Sequence, residues 1–157
     1  MSIEENKALV LKFYETFDQQ DIEKARSLIS TNIIAQGLDV IPLEGFDAVM
    51  KYGARMFAAF PDGHHQIDEV IAEEEKVFTR GTFSGTHQGD FMGIPATGQY
   101  VHFSVVHVDR IEHGKVIEHW GQGNTLALMK QLGIINLPGP SLIPHILRSL
   151  FSKLMFN

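Results

Sequence analysis

Residues 99–122, QYVHFSVVHVDRIEHGKVIEHWGQ, read as two strands joined by a tight turn. Gln99 to Ile111 and Lys115 to Gln122 are rich in Val, Ile and Phe, and Glu112-His113-Gly114-Lys115 is a reversal of the kind that glycine permits. Strand side chains alternate between faces, so His107 shares a face with Val101, Phe103, Val105 and Asp109, the more apolar of the two. On the second strand His119 has the parity of Ile117 and Gly121, whereas Glu118 and Trp120 face the other way. His65 to Ala72 and Lys76 to His87 have the same texture, so the four segments are expected to form an antiparallel meander.

Toward the N-terminus the apolar period becomes helical. From Ser2 to about Gln19, Ile3, Ala8, Leu11, Phe13, Tyr14 and Phe17 recur at helix spacing, with Ser2 as N-cap and Glu5 completing a capping box. A second helix is expected from Ile22 to Ile29 behind the cap Asp21, and a strand from Ile33 to Gly37 after Ser30-Thr31-Asn32. A third helix runs from Phe46 to Phe60 and is stopped by Pro61-Asp62-Gly63. The insert Gln88 to Gly98 is too glycine-rich for regular structure, and its Phe91, Met92 and Ile94 suit a lid or a pocket wall. Asn124 to Leu132 forms a last short helix ended by Gly133. Helices first and antiparallel strands after is the order of an α+β domain whose N-terminal helices pack on a curved antiparallel sheet to form a cone. A small apolar ligand would enter at its open mouth.

A chain of 157 residues with 44% hydrophobic content suits one domain with a real core. That cone domain is assigned to residues 1–136, and Leu137-Pro138-Gly139-Pro140 opens a C-terminal amphipathic tail helix within 137–157, basic on its polar side. The tail is expected to dock on its own domain or on a twin subunit rather than on a membrane. A net charge of -6 is the wrong sign for gripping nucleic acid. With 0 Cys there is neither a disulfide framework nor a cysteine-ligated metal site. The start MSIEENKALVLKFY carries an acidic pair where a signal peptide is basic, and no apolar stretch approaches the roughly 18 residues of a membrane span, so a cytoplasmic protein is expected.

NKALVLKFYETF (6–17), RGTFSGTHQGDFMGIPATG (80–98) and DRIEHGKVIEHWGQGNTLALMKQLG (109–133) resemble the SnoaL-like polyketide cyclase family in order and spacing, over roughly residues 3 to 133. The resemblance implies the cone fold shared with ketosteroid isomerase, scytalone dehydratase and nuclear transport factor two, assembled as a homodimer or a higher homo-oligomer. Characterised cyclases of the family close a ring by an intramolecular aldol reaction without metal or cofactor, using an acid/base aspartate with help from histidine. Many relatives carry acidic residues just after the Trp of the E-H-W motif; this chain reads Trp120-Gly121-Gln122-Gly123-Asn124 there, with no carboxylate.

Abstracting a proton beside a carbonyl at neutral pH suits histidine, and the chain has 8 of them. His107 and Asp109 on one apolar face can form an orienting pair, or His107 can be a core histidine bonded to a carbonyl. His119 is assigned to the pocket because Gly121 beside it leaves room for a ligand, with Glu118 and Trp120 on the alternative face. Asn124 can hold a carbonyl but cannot take a proton. His87, Asp90, Phe91, Met92 and Phe103 are expected to contact substrate near the mouth. His64 and His65, being adjacent, fall on opposite sides of a strand, so no metal site is expected, and the resemblance implies no cofactor. The function expected is a cyclase, isomerase or lyase acting on a small hydrophobic carbonyl compound. The alternative is a non-catalytic binder of a small apolar metabolite.

Overall fold

In a computed structural model, described here for residues 1–135, Ser2 caps the first helix as its sequence requires. Its hydroxyl accepts from Glu5 N–H, and the Glu5 carboxylate reaches back to Ser2 N–H at 2.7 Å. The helix α1 is Ile3–Asp18 and turns Val10, Phe13 and Tyr14 inward. Asp21 caps α2 (Ile22–Leu28), and the chain passes directly into β1 (Ile29–Gln36). β1 thus starts four residues before the expected Ile33: Ser30-Thr31-Asn32 is already an irregular stretch of strand between buried Ile29 and Ile33. The two-residue β2 (Leu43–Glu44) leads into α3 (Phe46–Ala59). The expected meander follows as β3 (His64–Glu73), β4 (Lys76–Thr86), β5 (Tyr100–Glu112) and β6 (Lys115–Gly123), and then α4 (Thr125–Gln131).

The strands form one sheet in the order β2-β1-β6-β5-β4-β3. Pairing from β3 to β6 is antiparallel, but β1 lies parallel to β6, so the sheet is mixed rather than wholly antiparallel. The helices cover its concave face and the sheet does not close, which is the α+β cone expected. The tail assigned to 137–157 lies outside the described residues. No helix among the described residues is long and apolar enough to cross a membrane.

One irregularity decides which side chains face inward. Arg110 pairs with Glu118 but Ile111 pairs with Val116, so Ile117 has no partner on β5 and forms a bulge. Val116, not Ile117, therefore shares the inner face with His119 and Gly121. Trp120, despite its size, stands 43% exposed on the outer face, where Glu118 pairs with Arg110.

Candidate functional site

The inner face of β5 carries Val101, Val105, His107, Asp109 and Ile111, as strict alternation predicts. Register then places Asp109 opposite His119 of β6, and His107 opposite Thr79 of β4 on one side and Gly121 on the other. Asp109 is wholly buried. A carboxylate buried without partners would be very costly, and it has two: His119 Nδ1 lies 2.8 Å from Oδ1, and the Tyr14 hydroxyl donates to Oδ2 at 2.8 Å. Because an ionised carboxylate only accepts, the proton of neutral His119 is assigned to Nδ1, which leaves Nε2 bare.

Tyr14 lies stacked on His107, ring centroids 4.9 Å apart. Burial first, and then the Asp109 charge, push its phenol well above the ordinary value, so it keeps its proton. His107 is driven the other way, from 6.5 down to about 2, by burial first and then by the repulsion it would meet from His119 and His65 in acid, where those rings carry charge. It is therefore a neutral imidazole at physiological pH, with Nδ1 3.3 Å from Thr79 Oγ1. Such a ring is too weak a base to take a proton from carbon. It can donate a hydrogen bond to a developing oxyanion.

Gly121 forms the floor beside these rings. A Cβ there would sit 3.0 Å from His119 Nε2, 3.0 Å from Leu38 Cδ2 and 3.1 Å from His107 Cδ2. Gly121→Ala is expected to destabilise the fold by about 1–3 kcal/mol through overpacking. Urea unfolding measures it, and an unchanged midpoint would mean that Leu38 retreats at no cost.

A cleft of about 440 Å³ opens between α1 and β3, lined by Tyr14, Asp18, His64, His65, Leu11 and Ile67 among others. Asp18 ties its floor together: Oδ1 is 2.6 Å from His65 Nδ1, Oδ2 accepts the His65 backbone N–H at 2.8 Å, and His64 Nδ1 is 3.2 Å away. The two adjacent histidines thus meet one carboxylate. Among the described residues no three His, Cys, Asp or Glu side chains are grouped to hold a metal ion.

The remaining expected residues are dispersed. His87 is wholly buried in a second core cluster, with Nδ1 accepting from Thr97 N–H, and its ring lies 5.2 Å from Phe60. Phe91 packs on Phe60 as well, at 5.3 Å. Asp90 accepts from Gly93 N–H as a turn former, and Met92 is 74% exposed. Phe103 lies against Phe83, which touches His65. The Asn124 amide oxygen accepts from Ala127 N–H and caps α4. Glu118 and Trp120 border a shallow hollow of about 120 Å³ on the outer face. Sequence reasoning missed Tyr14, Thr79, Leu38 and the Asp18–His65 pair. A signal existed for Tyr14 alone, since a tyrosine in a buried helix stripe needs a partner for its hydroxyl.

A model of the SnoaL-like polyketide cyclases matches residues 8–132. The chain belongs to the SnoaL-like polyketide cyclase family. Over 77 residues it is 32% identical to the aklanonic acid methyl ester cyclase DnrD of Streptomyces peucetius, covering 48% of this chain and 52% of DnrD. The chain thus spans about half the length of the curated relatives it matches. AclR, a hydroxylase candidate from Streptomyces galilaeus, is 32% identical, with a TM-score of 0.76 over 86% of this chain and 100% of AclR. IdmH, a polyketide cyclase candidate from Streptomyces antibioticus, is 25% identical, with a TM-score of 0.73 over 82% of this chain and 98% of IdmH.

Proposed function

We propose that the protein closes a ring in a small hydrophobic, polyketide-type carbonyl compound by acid–base chemistry of its own side chains. The supporting observation is the 2.8 Å contact between His119 and buried Asp109, which leaves Nε2 of His119 as a base. Nε2 removes a proton from a carbon next to a carbonyl, and Asp109 offsets the charge of the imidazolium that forms. The enolate oxygen accepts a hydrogen bond from neutral His107. The C–H electron pair then forms the new C–C bond to a second carbonyl of the same molecule. The resulting alkoxide takes the proton back from His119, so no proton is gained or lost.

DnrD supplies the first compound to try, aklanonic acid methyl ester. In D2O the wild type is expected to exchange its acidic α-proton and to form an isomeric ring-closed product. His119→Gln should lower both rates by about 10²-fold or more; unchanged turnover in that variant would remove the mechanism. Thermal stabilisation by the ester with neither exchange nor product would favour the binder.

A further inference from the structure

For this chemistry Nε2 of His119 must meet substrate, yet His119 is only 6% exposed and Asp109 not at all. The histidine cluster has two ends. At the β3 end lies the cleft, where the polar groups are already committed: Tyr14 to Asp109, and His65 to Asp18. At the β6 end Nε2 looks onto Gly121, and the atoms sharing that space are Cδ2 of Leu38 and Cδ2 of His107, the cluster's own ring. Leu38 belongs to segment 37–42, which links β1 to β2.

The segment is fixed at its root and loose beyond it. Gly37 has φ 77°, and a Cβ there would come within 2.0 Å of the Gly121 carbonyl oxygen, so the chain can lie on β6 at this point only as glycine. Past Leu38, the tie is an ion pair between Asp39 and Arg55 at 3.1 Å whose side chains are 36% and 61% exposed, and such pairs hold weakly. Val40 and Ile41 stand 97% and 70% exposed beside the site. Isolated surface apolar residues need no explanation, but here two adjoin the one leucine that covers a base.

We infer that Leu38 is the gate of the site, and that segment 37–42 is a strap that closes over substrate. In the unliganded chain Leu38 fills the space against Nε2 that the reacting part of a hydrophobic substrate takes when bound. Val40 and Ile41 then cover the remainder of that substrate. This rests on the His119 reading and adds where substrate enters and which side chains select it for apolarity.

Access to Nε2 can be read without turnover, by acylation of histidine with diethyl pyrocarbonate followed by peptide mapping. His113, with a side chain 93% exposed, is the internal reference, and wholly buried His87 reports general opening. Leu38→Ala is expected to speed labelling of His119 relative to His113 by about tenfold or more while His87 stays unlabelled. Labelling of His119 that is unchanged, or that rises only together with that of His87, overturns the gate. In turnover of aklanonic acid methyl ester, the double variant Val40→Ser with Ile41→Ser should raise KM about tenfold and leave kcat within about twofold. A parallel fall in kcat, or no change in KM, overturns the strap. If His119→Gln keeps full activity, the proposed base fails while the labelling result still stands or falls by itself.

Discussion

Asp109→Asn is expected to lower turnover of aklanonic acid methyl ester by about 10²–10⁴-fold while the chain stays folded. An amide can face the two donors in either of two ways. With its oxygen toward Tyr14, its NH₂ faces His119 Nδ1, which must then accept, and the ring proton moves to Nε2, where the base is needed. With its oxygen toward His119 the tautomer survives, but a neutral group replaces the charge that offsets a buried imidazolium. Either arrangement weakens the base. A steady-state assay beside urea unfolding checks this, and turnover within about tenfold of wild type, roughly 1.4 kcal/mol of barrier, would show that Asp109 is only a packing element.

The second large effect is on stability in acid. His107 is held at about 2 in the folded chain against an ordinary 6.5, so between those limits the unfolded chain binds the additional proton. The stability contributed by the neutral imidazole is fully present above about pH 6.5 and is lost as the pH falls toward 2. Each proton changes stability by about 1.4 kcal/mol per pH unit, so going from about pH 6.5 to about pH 4 removes on the order of 3 kcal/mol through this one residue. Carboxylates and the other histidines add their own slopes, and comparison with His107→Gln isolates this one. Urea midpoints measured across that range should fall more steeply in wild type than in the variant. Parallel curves would mean that His107 takes up a proton while still in the fold.

Much of this architecture could be read from local pattern. The capping box at Ser2, the Asp21 cap and the 112–115 hairpin rest on interactions a few residues apart, and the structure has all of them. Alternation placed His107 and Asp109 on one inner face because β5 pairs with β4 without a break. On β6 it held from Glu118 to Gly121 and failed only at Ile117, where a bulge shifts parity, and bulges leave little trace in composition. The parallel pairing of β1 with β6 joins segments some 90 residues apart, and nothing local specifies it.

The same limit governs the site. His107, His119 and Asp109 were found because they share or adjoin one hairpin, yet the orienting partner of Asp109 is His119, across the strands, and not His107 two residues away. Tyr14 is 95 residues from Asp109 and counts in the sequence merely as one more apolar position of α1. Leu38 sits in a segment whose route over β6 depends on the close approach of Gly37 to Gly121. Asp90 and Asn124 illustrate the converse: polar residues near a suggestive stretch whose bonds are taken by the local turn or cap.

The orientation of the His119 ring proton tests the account most directly. Long-range ¹H–¹⁵N correlation of the neutral imidazole, with the Asp109→Asn protein for comparison, reports which ring nitrogen carries it. Nδ1 is expected to be protonated and Nε2 bare in the wild type. A proton found on Nε2 instead would leave His119 without a lone pair toward Gly121, and so without the base on which ring closure depends.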